Sequence, residues 1–133
     1  MDFIFCKYHL TMFNIRCPKS IVQKKIIMIA KTPSAPYYAV IFTSLRTETI
    51  EGYSETAQRM VELAAQQPGF LGVESAKEEV GITVSYWESL EAIKNWKYVT
   101  EHVMARDYGR EFWYKSFKTR IAKVERDYGF EKI

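Results

Sequence analysis

The feature that most constrains this chain is the stretch "YYAVIFTSLR", residues 37–46. It opens after Pro36 and is built of β-branched and aromatic residues, which predicts a strand. Tyr38, Val40 and Phe42 point to one side of it, and Tyr37, Ala39 and Ile41 to the other. A strand with one wet face alternates apolar and polar residues, and this one does not. Both faces of any sheet that contains it therefore need cover. Helices of the same chain can supply one layer, and the economical source of the second is another copy, a homodimer with sheets face to face.

The rest of the pattern supplies the helices. In "GYSETAQRMVELAAQQPG", Tyr53, Ala57, Met60, Val61 and Ala64 fall on one helical face that Pro68 and Gly69 end. "FLGVESAKEE" and "GITVSYW" alternate with period two around Gly81, as a hairpin pair does. A long helical stretch runs from Ser89, a suitable N-cap, to about Arg110. "SFKTRIAKVERDY" closes the chain as a last strand. The order β-α-β-β-α-β predicts an α+β, ferredoxin-like domain with two helices on one face of an antiparallel sheet.

Length and charge bound what such a domain can do. At 133 residues the chain fits one domain, and 47% hydrophobic content is enough for a core. The net charge of +3 is uneven. Residues 1–27 hold five Lys or Arg and one acid, so the remainder has 19 − 5 = 14 basic against 16 − 1 = 15 acidic side chains. A near-neutral body argues against nucleic acid as a partner. Cys6 and Cys17 both lie in the basic stretch, so the body cannot build a disulfide framework or a thiolate zinc site. No apolar run reaches the roughly 18–20 residues of a membrane span, and "MDFIFCKYHLTMFNI" is too interrupted for a secretory leader. The expectation is a cytoplasmic protein with no membrane partner. Residues 1–35 read as a weakly structured extension and linker, residues 36–129 as the folded domain, and 130–133 as a tail. The extension is either an upstream translation ahead of a start at Met28 or an amphipathic segment docked on the domain.

Chemistry has few places to sit. From Met28 onward the only histidine is His102, and no glycine-rich phosphate loop or two-histidine metal pattern occurs, so no metal or bound cofactor is expected. In "YWESLEAIKNWKYVTEH", residues 86–102, a continuous helix puts Ala92, Ile93, Trp96, Val99, Thr100, Val103 and Met104 on one arc of about 140°. Glu91, Asn95, Tyr98, His102 and Arg106 fall on the opposite arc. Trp96 and His102 would then face apart, unless a break between them turned one toward the other. His102 is either a rim imidazole or a general base, whose ordinary pKa near 6.5 suits removal of a phenol proton. Asn95 either orients a substrate oxygen or is solvated. Trp87 and Trp96 read as core or as pocket wall. "EFWYKSF", with Trp113 and Tyr114, reads as a barrel edge or dimer seam, or as a pocket lid. Lys115, Lys118, Arg120, Lys123 and Arg126 read as edge-protecting charges on the last strand.

The segments "QPGFLGVES" (67–75), "YWES" with the following "EAI" (86–93), and Trp96 through His102 to "FWYKSFKTRIAKVERDY" (112–128) together resemble the antibiotic biosynthesis monooxygenase family. The resemblance covers about residues 36–129. It implies a dimeric α+β barrel and a cofactor-independent monooxygenase for a small aromatic or quinol-like substrate, held in a pocket between helices and sheet. It also implies His102 as proton acceptor with Asn95 as helper, and Trp87, Trp96, Trp113 and Tyr114 as substrate-contacting walls. The same scaffold serves non-catalytic binding of a hydrophobic ligand or haem, and haem-degrading monooxygenases. The haem-degrading branch pairs an Asn in the first strand with a Trp and, about ten residues on, a His. Residues 36–46 contain no Asn, and His102 follows Trp96 by six.

Overall fold

A computed structural model describes residues 28–133. Residues 1–27 and the side chain of Thr100 lie outside the described part, and with them both accounts of the extension, Cys6, Cys17 and one member of the apolar arc. Four strands form an antiparallel sheet: β1 (Tyr37–Arg46), β2 (Phe70–Lys77), β3 (Val80–Trp87) and β4 (Tyr114–Val124), in the order β2-β3-β1-β4. Helix α1 (Tyr53–Ala65) joins β1 to β2. The second crossover holds α2 (Leu90–Lys97), α3 (Thr100–Tyr108) and a π-helical turn, Gly109–Trp113. This is the ferredoxin-like α+β arrangement. The one long helix expected from Ser89 to Arg110 is interrupted at Tyr98–Val99, and that correction shapes the site.

β1 lies between β3 and β4, pairing Tyr38 with Trp87 on one side and Lys123 on the other. Alternation along the pairing puts Tyr38, Val40 and Phe42 on the helix side together with Trp87, Ser85 and Thr83 of β3. Ala64, Trp87, Ala92 and Ile93 form the first buried cluster, with Tyr38, Val40, Phe70 and Trp96 packed against it. Tyr53 and Trp113 form a second, bordered by Ala57, Tyr108 and Tyr114. The "EFWYKSF" run thus places Trp113 in the core rather than at an edge, and its indole Nε1–H donates to the Glu51 carbonyl at 3.1 Å.

The opposite face carries Tyr37, Ala39, Ile41 and Leu45 of β1 beside Val80, Ile82, Val84 and Tyr86 of β3. No helix among the described residues covers it, and Leu45, Val80 and Ile82 remain 43%, 44% and 42% exposed. Residues 28–35 have no helix or strand, yet they are less loose than a weakly structured linker. The Ala30 N–H donates to Glu74 Oε2 at 2.9 Å, and Ala30 sits over Gly72, where an added Cβ would lie 2.8 Å from its methyl. Glu74 in turn accepts the Tyr86 hydroxyl at 2.6 Å, and burial together with that carboxylate pushes the Tyr86 phenol up to about 12. Tyr37 donates its hydroxyl to Asp127, tying in the residues after β4. β4 is an edge strand, and its charged residues sit there as expected of an edge. No described helix is long and apolar enough to cross a membrane.

Gly69 fixes how β2 starts under α2. Its φ is +87°, its carbonyl accepts the Glu88 N–H at 2.8 Å, and an added Cβ would lie 2.6 Å from the Ala92 Cβ. Gly69→Ala combines a left-handed backbone with a clash against a buried helix residue. The expected loss of stability is above about 1 kcal/mol, measured by urea denaturation, with an unchanged midpoint arguing against this packing.

Candidate functional site

The site is made by the interruption between α2 and α3. Tyr98, Val99 and Thr100 are aromatic and β-branched residues in succession, weak helix formers that lose side-chain freedom in a helix. The Tyr98 N–H closes the last turn of α2 on the Asn95 carbonyl, and the Val99 N–H bonds the Trp96 carbonyl, both at 3.1 Å. Val99 is then extended (φ −62°, ψ 128°), and α3 restarts with the Val103 N–H on the Val99 carbonyl at 3.0 Å. At the other end of α2, Ser89 caps the helix, its Oγ accepting the Ala92 N–H at 3.0 Å. Arg59 of α1 holds Glu101, in the first turn of α3, through Nε at 3.2 Å and Nη2 at 3.4 Å. The turn at Val99 and the Arg59–Glu101 pair together set the direction of α3.

This turn swings His102 back onto Trp96. The two rings stack with centroids 4.4 Å apart and planes 7° from parallel. Trp96 stacks in turn on Trp87 at 6.2 Å and 25°, and Trp87 meets Phe70 edge-on at 5.4 Å. The His102 Nδ1 lies 3.0 Å from the Trp96 carbonyl oxygen. A carbonyl can only accept, so Nδ1 carries the proton and Nε2 presents a lone pair. Among the described residues no hydrogen-bond partner is found for Nε2. Burial holds the imidazole below its ordinary pKa of 6.5, the Trp96 carbonyl opposes this, and the positive charge of Arg106 adds to the depression. The product is a neutral, oriented imidazole at pH 7, a proton acceptor in its competent state.

The other sequence candidates divide. Trp87 is wholly buried, its indole N–H donating to Ser85 Oγ at 2.9 Å, and it supports the stack from beneath. Asn95 is exposed on α2 and is not brought to the imidazole's stacked face. Trp113 and Tyr114 belong to the second cluster, with Tyr53 edge-on to both at 5.5 and 6.1 Å. Burial and the neighbouring Tyr53 hydroxyl raise the Tyr114 phenol, so it stays protonated. Arg46 stands over the Tyr53 ring at 3.2 Å, and Lys77 approaches the same ring at 4.2 Å. The space between α2 and the sheet is occupied by Phe70, Trp87, Ile93 and Trp96. A trough of about 400 Å³ lies instead on the helix-free face, between Thr43, Leu45, Val80, Ser116, Lys118 and Arg120. Among the described residues no group of three or more His, Cys, Asp or Glu is placed to hold a metal ion.

The model of the antibiotic biosynthesis monooxygenase family matches residues 36–107. The chain belongs to the antibiotic biosynthesis monooxygenase family. A relative, the uncharacterized protein YqjZ of Bacillus subtilis (strain 168), is 56% identical over 106 residues, spanning 78% of this chain and 93% of the relative. Among solved structures, a variant of SnoaB, a cofactor-independent oxygenase from Streptomyces nogalater, superposes with a TM-score of 0.61 at 11% identity, over 70% of this chain and 97% of its own. Rv0793 from Mycobacterium tuberculosis gives a TM-score of 0.63 at 10% identity, over 71% and 100%. A putative antibiotic biosynthesis monooxygenase from Nitrosomonas europaea gives 0.58 at 13%, over 71% and 94%. At such identities these structures share the fold, and that is all they share by this measure.

In this member of the family, Arg106 is a residue that sequence reasoning placed on the His102 arc without singling it out. Its charge bears on the imidazole from one turn along α3. The signal available was its spacing of four from His102.

The depressed pKa has a consequence for stability. The unfolded chain takes up the His102 proton at a higher pH than the folded chain, so the neutral imidazole's contribution is present above about 6.5 and lost as pH falls below it. Thermal unfolding of the wild type is expected to weaken more between pH 8 and 5.5 than that of His102→Gln, which keeps an N–H donor. Parallel curves for the two proteins would contradict the assignment.

Proposed function

We propose that this protein is a cofactor-independent monooxygenase for a small aromatic or quinol-like substrate, acting in the cytoplasm as a homodimer. The observation that carries the reading is the neutral His102 imidazole, fixed by the Trp96 carbonyl with its Nε2 lone pair uncommitted, on a monooxygenase-family scaffold. An acidic phenol or activated ring CH2 gives its proton to Nε2, leaving an electron-rich anion that reduces O2. The substrate supplies all four electrons: a ring CH2 becomes a ketone as one oxygen atom is inserted and the other leaves as water. The imidazolium returns its proton to that departing oxygen. The protein contributes orientation and a low-dielectric wall, for which Trp96 is the closest aromatic surface. Asn95, exposed, has no part in the step, and Trp113 and Tyr114 support the fold beside it.

Support for the dimer comes from the exposed part of the helix-free face, where Leu45, Val80 and Ile82 lie together. Light scattering after size exclusion is expected to give twice the mass of one chain; a monomer at micromolar concentration would remove this part of the proposal. For the chemistry, oxygen uptake is measured with a panel of hydroquinones and anthrones. His102→Ala is expected to lower kcat by about 10²-fold or more. Absence of uptake across the panel, with a hemin Soret shift that His102→Ala abolishes, would favour a non-catalytic haem-binding protein instead.

A further inference from the structure

We infer that Arg106 forms an anion-binding subsite beside His102, which selects aromatic ligands that carry a carboxylate. This deepens the functional reading above and rests on it for the use of the site. Two guanidinium nitrogens of Arg106, Nε and Nη1, are buried from solvent and have no hydrogen-bond partner. Among the described residues, the carboxylate paired with the group is its sequence neighbour Asp107, exposed and 3.9 Å from Nε, beyond hydrogen-bonding distance. The side chain as a whole is 26% exposed, so solvent-borne groups reach the guanidinium, and two enclosed donors left unsatisfied are costly until an acceptor that brings negative charge engages them. Arg46 also has a buried, unpaired Nε, but its guanidinium lies 3.2 Å over the Tyr53 ring, whose π face serves as its acceptor. Arg106 has no such explanation.

Position gives the subsite its use. Arg106 follows His102 by four residues on α3, which brings their β-carbons to about 5–6 Å on one face of the helix. The imidazole feels the cation's field. A ligand whose carboxylate meets Arg106 can therefore turn a ring hydroxyl toward Nε2 of His102. A hydroxy-substituted aromatic carboxylate carries both groups, and its neutral amide lacks the charge that the cation would engage. Arginine suits the task because it stays charged and holds its donors in a rigid plane.

The test is isothermal titration calorimetry of the full chain with 1-hydroxy-2-naphthoate and with its neutral carboxamide. Wild type is expected to bind the carboxylate about tenfold or more tightly than the amide. Arg106→Gln is expected to bring the two affinities together while leaving amide binding in place, and Arg106→Lys to keep part of the preference. Circular dichroism melts of both variants establish that they fold, and the wild-type pair remains decisive if one does not. Equal affinities in the wild type would overturn the proposal, as bound water then suffices for the guanidinium. So would failure of the carboxylate to bind, or a preference that survives Arg106→Gln. Oxygen uptake is scored separately: a carboxylate preference without uptake keeps the subsite and removes the oxygenase, and uptake without the preference does the reverse.

Discussion

Trp87 is the side chain on which the rest of this structure depends. It is fully enclosed at the end of β3, with Phe70 edge-on at one side and Trp96 stacked at the other. Its place in β3 is set by pairing with Tyr38 of β1 and Phe70 of β2, so it ties three strands to α2. A buried aromatic of this size contributes a large share of the core's apolar burial and leaves a costly void when truncated. Because Trp96 rests on Trp87 and His102 rests on Trp96, the imidazole takes its position from the core, and through it from the sheet. The functional group stands on packing instead of on a mobile loop, which is what orientation of a proton acceptor requires.

Much of the fold was legible because hydrophobic period and turn chemistry agree in this sequence. The strands, α1, the Ser89 cap and the family resemblance can each be read from residues that the structure places as expected. The two-sided character of β1 agrees with its central place in the sheet, between β3 and β4. The site was legible only in part. Helical arithmetic separates Trp96 from His102 by assuming a straight helix, and the structure joins them through one extended residue, Val99. The Tyr98-Val99-Thr100 run was the local warning, but its propensity deficit is a few tenths of a kcal/mol per residue and does not by itself locate a break. Arg106 could not be singled out for a second reason. Whether a guanidinium is paired depends on tertiary neighbours, and sequence spacing does not report them.

The two faces of the sheet do different work. One carries the aromatic stack and its imidazole. The other combines an apolar middle with Glu74 bonded to Tyr86 near one end and Lys118 and Arg120 by the trough at the other. Residues 28–32 reach that second face through Ala30 and Thr32, which engage Glu74 and the Tyr37–Asp127 pair. The stretch leading into β1 is thus a structural part of the sheet's surface, although it contributes no strand. Any substitution at Gly72 would push against Ala30 and loosen this connection first.

His102 is neutral because burial holds it so, and its proton sits on Nδ1, with the lone pair on Nε2, because the Trp96 carbonyl accepts there. Long-range ¹H–¹⁵N correlation NMR of the imidazole, followed with pH, reads both properties directly. An Nδ1–H tautomer at pH 7.5 and a titration midpoint below 6.5 are expected. An Nε2–H tautomer, or a midpoint at or above that value, would contradict this assignment.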